Sequence, residues 1–86
     1  MSHKLVGFSN SINSSYIQSQ LVSIANEISD LETEFANEND DRLTRYCKRP
    51  DRMPCFMVFK NDVHLNHIHA KMTNDYAIKW VRGAIG

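Results

Sequence analysis

One stretch constrains this chain more than any other: Arg52-Met53-Pro54-Cys55-Phe56-Met57-Val58-Phe59-Lys60-Asn61-Asp62. Proline has no N–H to give a sheet ladder, so Pro54 belongs at the first residue of a strand, and an X-Pro bond there can be cis. Cys55 to Phe59 is a continuous apolar run of strand length, as expected of a strand buried on both faces. Lys60-Asn61-Asp62 is turn chemistry. Val63 to Ala70 follows as a second strand, which makes the pair a hairpin. Thr73 to Arg82 reads as a helix, with Thr73 as N-cap, Asn74 and Asp75 in its first turn and Gly83 as its stop. Its apolar residues Tyr76, Ala77, Trp80 and Val81 are read as core, and Ile85 as a short tail free to dock on a neighbour.

The first half alternates element types. Lys4 to Phe8 reads as a strand, a helix begins near Ser15, Thr33 to Asn37 is a second strand, and Asp41 to Cys47 is a short helix. In the first helix Ile17, Leu21, Ile24, Ala25 and Ile28 recur at steps of three and four, an apolar stripe suited to a sheet. Gln20, Ser23 and Glu27 are assigned to the outer side, and Ser15 with Gln18 to a capping box.

Taken in this order, the elements and the Met53-Pro54 step resemble the thioredoxin fold, in which a cis-proline leads into an apolar strand, a Phe-Lys-Asn turn, another strand and a closing helix. Phe59-Lys60-Asn61 matches that turn, with Asp62 where the family usually has glycine. The resemblance covers nearly the whole chain and implies an α/β domain over residues 1–86, with a mixed sheet of about four strands, three helices and a C-terminal hairpin plus helix. It also places the family's two redox cysteines near Asn13 and Tyr16. Neither is cysteine, and Ser9 to Tyr16 holds no thiol. Dithiol exchange through a thiolate at that helix N-terminus is therefore excluded. In the family, backbone beside the cis-proline pairs with extended peptide, so the resemblance implies a protein-binding surface at Asn10, Asn13, Tyr16, Met53 and Pro54.

Composition narrows the class further. With 86 residues, 42% hydrophobic and 23% charged, the chain is globular rather than disordered. A domain this size buries only about 60–65% of its unfolded surface, so added stability from a partner is plausible. No apolar run has the length of a signal peptide or a membrane span, which suggests a cytoplasmic setting or an assembled particle such as a virion. The ten basic and ten acidic residues balance but are segregated, seven acids lying in Glu27 to Asp41 and six bases in Arg42 to Lys60. Arg42 to Arg49, with Tyr46, would suit phosphates and a stacked base. A helix whose bases face the adjacent acids explains the pattern as well, and nucleic acid is not the expected partner. The polar run before the first helix lacks the glycines of a phosphate loop.

Two side-chain groups carry possible chemistry. Cys47 and Cys55 have three open readings: a disulfide, a reactive Cys55 lowered in pKa by Arg49 and Arg52, or two buried small apolar residues. His64, His67 and His69 lie on the second hairpin strand. Alternation puts His67 and His69 on one face and His64 on the other, so a shared metal would need the strand to bulge. His67 and His69 are the metal candidates, without a clear third ligand, and no cofactor is expected. The expected role is a non-catalytic protein-binding or structural subunit of a larger assembly, including a phage virion or accessory protein. The rival is a monothiol or thiol-dependent oxidoreductase using Cys55, with or without Cys47.

Overall fold

The structure is a computed structural model and describes residues 3–10, 12, 14–47, 54–69 and 71–86. Four strands and three helices lie among them in the order β1 (His3–Ser9), α1 (Ser14–Glu27), β2 (Leu31–Asn37), α2 (Asp41–Tyr46), β3 (Cys55–Lys60), β4 (Val63–Ile68) and α3 (Asn74–Ile85). The sheet order is β2-β1-β3-β4, with β1 parallel to β2 and antiparallel to β3, and β3 antiparallel to β4. A parallel pair needs a crossover, which α1 supplies, whereas the antiparallel β3–β4 pair is closed by Asn61 and Asp62 alone. Both turn residues have positive φ, 51° and 66°, the conformation that matches the twist of a two-residue hairpin. Asn and Asp tolerate it, which is why Asp62 can stand in for glycine.

Because successive strand residues face opposite sides, β1 and β3 feed two cores. Leu5, Phe56 and Val58 pack with Ile17, Leu21, Ile24 and Ile28 of the α1 segment and with Ala77 and Val81 of α3. Val6, Phe8, Cys55, Met57 and Phe59 face the other way, under Leu43 and Cys47 of the α2 segment. Cys55 to Val58 are fully buried, as a strand covered on both faces must be. Gly7 lies under α1, and a Cβ there would meet Ile17 Cγ2 at 2.6 Å, so glycine sets how closely the helix rests on the sheet.

Several expectations are corrected. Helix α1 begins at Ser14, which places Ser15 inside the first turn rather than at the cap of a box with Gln18. Gln20 is buried rather than outward, because its amide Nε2 donates to Met72 O at 2.6 Å and ties α1 to the segment before α3. Gly83 does not end α3. The helix runs to Ile85 and is capped by Gly86 at φ 113°, since Ala84 and Ile85 pack against the first core and offset glycine's weak helix preference. Ile85 is thus docked on its own domain, and Tyr76, assigned to the core, is 54% exposed.

Among the described residues the acidic and basic segments meet as ion pairs at Arg42. Asp40 caps α2 by accepting from Arg42 N at 2.9 Å, and the Arg42 guanidinium donates to both Asp40 oxygens and to Glu34 on β2. These bonds from Arg42 hold both carboxyls below their ordinary range. No helix among the described residues is long and apolar enough to cross a membrane.

Candidate functional site

Two neighbouring regions carry the residues singled out by sequence. The first is the end of β1 and the start of α1. Asn10 Oδ1 accepts from Ile12 N at 3.1 Å, a local turn that lifts the Ile12 side chain to 88% exposure. Ser9, Asn10 and Ser14, with Phe35 and the chain from Asn37 to Asn39, line an open notch of about 290 Å³. Phe35, on edge strand β2, is 40% exposed. Tyr16 is turned to structural use. Its hydroxyl donates to Met72 O at 2.8 Å and accepts from Met72 N at 2.5 Å, and its ring packs on the first core. Together with Gln20 it fixes the approach to α3. Pro54 is buried immediately before Cys55. Asn13, Met53 and the isomer of the Met53–Pro54 bond lie outside the described residues.

The second region is on the α2 side of the sheet. Cys55 is fully buried at the start of β3, and Cys47 is 7% exposed at the C-cap of α2, where its N–H donates to Leu43 O at 3.0 Å. Their sulfurs approach to 3.9 Å. Both are free thiols. Burial pushes the Cys55 thiol well up from its ordinary pKa, with the neighbouring Cys47 adding to the rise, and burial likewise raises Cys47. A thiol so placed carries little thiolate at neutral pH. The second core contains both.

The histidines are not divided as strand alternation suggested. Regular pairing from Phe56↔Ile68 and Met57↔His67 would continue to Phe59↔Leu65, but Phe59 is paired with His64. One extra residue, Leu65, is taken up as a bulge between Val58 and Phe59. A bulge shifts side-chain parity. His64 therefore joins His67 and His69 on the α2 face, with Val63 moved to the other. His64 Nε2 and His67 Nδ1 are 3.1 Å apart, and the His67 and His69 rings meet edge to face at 5.4 Å. Tyr46 stacks on His64 with centroids 4.8 Å apart and planes 6° from parallel, so this ring is already occupied and not held out for a base. Burial lowers the pKa of His64 and His67.

The row ends at the thiols. Among the described residues, the Sγ atoms of Cys47 and Cys55 and an imidazole nitrogen of His69 all lie within 4.8 Å of one another. The sequence offered His67 and His69 without a third partner. The side chains that His69 does meet are cysteines some distance away along the chain, brought beside it by the strand pairing.

An α/β sheet of this order, with α1 and α3 on one face and α2 on the other, is a thioredoxin-like fold. The chain superposes on the germline-specific thioredoxin Deadhead from Drosophila melanogaster with a TM-score of 0.75 at 14% identity, covering 95% of this chain and 80% of that one. It is similar to thioredoxin f from spinach chloroplast at a TM-score of 0.72 and 12% identity, covering 99% and 72% of the two chains. A chain from a structure on the thiol-resolving mechanism of yeast mitochondrial 1-Cys peroxiredoxin gives 0.73 at 14% identity, with 95% and 78% covered. No family model and no curated protein matches the sequence. At these identities the likeness is one of fold, and function has to be argued from the site.

Proposed function

We propose that this thioredoxin-like domain acts by binding a protein partner, as a non-catalytic subunit of a larger assembly, and not by dithiol exchange. The observation that carries this reading is the β1–α1 loop. Where the family would hold thiols it holds none, and it presents an isoleucine side chain at 88% exposure beside an open notch. A lone exposed isoleucine is ordinary. One that follows its own turn at the sheet end, in a loop whose Asn10 shares a notch with the exposed Phe35, suits a small apolar contact centre. Asn10 shapes the turn, and Pro54 is buried just before β3, where the resemblance puts the pairing with an extended segment. Tyr16 spends its hydroxyl on Met72 rather than on a partner.

The test is purification from the native source, with reductant and at high salt, to look for a protein retained in fixed ratio. The expected result is a stoichiometric partner that Ile12→Asp releases while the circular dichroism spectrum stays unchanged. A second reading, a thiol-dependent oxidoreductase using Cys55, draws on the 3.9 Å approach of the two sulfurs. Elution as a lone folded monomer, together with thiol labelling at neutral pH faster than free cysteine, would favour it and sink the first. Slow labelling until denaturation is expected instead.

A further inference from the structure

We infer that Cys47, Cys55 and His69 form a zinc site that ties the end of α2 to the sheet. Three independent pieces of geometry converge on it. First, the sulfurs are 3.9 Å apart. Two thiolates at about 2.3 Å from a tetrahedral zinc are separated by about 3.8 Å, whereas a disulfide would need about 2.05 Å. Second, the His69 nitrogen completes a triangle in which every donor pair lies within 4.8 Å. A sulfur and an imidazole nitrogen on one zinc are about 3.6 Å apart, so closing on the ion takes about 1 Å of movement. His69 is half-buried just beyond the end of β4. Third, the donors come from three separate elements: the C-cap of α2, the first residue of β3 and the residue following β4.

The chemistry of the donor set points to a borderline or soft ion, and zinc is the redox-inert one among these. Two soft thiolates and one imidazole suit zinc and exclude calcium and magnesium, which take oxygen. Binding releases one proton from each thiol to solvent, and the two thiolate charges cancel the charge of Zn²⁺. The resulting neutral centre fits an apolar surround of Phe8, Leu43 and Met57, where two bare thiolates would not. Three protein ligands leave a fourth position for water. His67, with its ring against that of His69, is a positioning residue and not a ligand. The consequence for so small a domain is a staple, since metal that binds only the folded chain stabilises it.

The experiment is titration of the reduced, metal-free full chain with Co²⁺ and then Zn²⁺ in a non-thiol reductant. Cobalt is expected to bind one per chain, with an ultraviolet thiolate-to-metal charge-transfer band and the strong visible bands of a tetrahedral site. Zinc should displace it and raise the melting temperature, and a chelator should reverse both. Cys47→Ser, which leaves one thiolate, should cut the charge-transfer band by at least half, and His69→Gln should weaken binding at least tenfold. His3→Gln, at the opposite end of β1, should change neither. Because Cys55→Ser alters a buried strand and threatens folding, the half-exposed His69 is the deciding position. No charge-transfer band at one equivalent, or a His69→Gln variant that binds as tightly as the wild type, overturns the site.

Discussion

Substituting Gly7 by alanine isolates one packing distance and tests how α1 sits on the sheet. Gly7 is not at positive φ, so the alanine backbone is unstrained there and only the new methyl matters. That methyl would lie 2.6 Å from Ile17 Cγ2, against an ordinary carbon contact of about 3.5–4.0 Å, an overlap of about 1 Å. Ile17 cannot swing clear. It is β-branched and in a helix, which leaves it essentially one rotamer, and Leu21 Cδ1 and Cδ2 stand at 3.3 and 3.4 Å from the same point. The helix must therefore lift or slide, at the usual overpacking cost of about 1–3 kcal/mol. Stiffening the unfolded chain returns about 0.4–1 kcal/mol, so the net effect runs from about neutral to about 2.5 kcal/mol destabilising. In a domain of this size that lowers the melting temperature by roughly 4–8 °C for each kcal/mol. The assay is urea unfolding of Gly7→Ala, Ile17→Ala and the double variant. Ile17→Ala alone should cost about 2–5 kcal/mol. With the Cγ2 atom gone the added methyl has room, so the double variant should be more stable than additivity predicts by about 1 kcal/mol or more. A Gly7→Ala protein more stable than wild type, or costs that add within about 0.5 kcal/mol, would refute the close approach.

Three further outcomes follow from named contacts. Tyr16→Phe removes the hydroxyl that both donates to and accepts from Met72, leaving a buried N–H unpaired, and should cost about 1–3 kcal/mol in urea unfolding with faster amide exchange at residues 71–73. Thr73→Ala removes the acceptor for Tyr76 N at 3.2 Å and should cost about 1 kcal/mol, most of it recovered in Thr73→Asp. The carboxyls of Glu34 and Asp40 are depressed by Arg42, so the stability they contribute is fully present above the ordinary carboxylate range and is lost as pH falls through their lowered values. Both are partly exposed, which keeps the drop small, and Arg42→Met should flatten the pH dependence of the urea midpoint below about pH 4.5; an unchanged slope would dismiss the pairing.

What the sequence determined about this protein is what neighbouring residues dictate to one another. The five-residue apolar run after Pro54, the Asn61-Asp62 turn, the Thr73 cap and the three-and-four spacing of Ile17, Leu21, Ile24 and Ile28 are local signals, and each produced its element in place. Enough of them in a fixed order made the fold legible. The site was less so, because it depends on parity and on distance through space. One extra residue at Leu65 reversed the face of His64, and nothing in Val63 to Ala70 announces a bulge, since the register is settled by which β3 residue each β4 residue pairs with. Gln20 shows the same dependence: a polar residue on a helix points to water unless a distant carbonyl, here Met72 O, meets it. Gly83 likewise fails to stop α3 because Ala84 and Ile85 find the core beyond it. The meeting of Cys47 with Cys55, and of both with His69, belonged to tertiary structure alone. Sequence spacing fixes how far apart donors can be, and only the packed sheet and α2 fix how close they come.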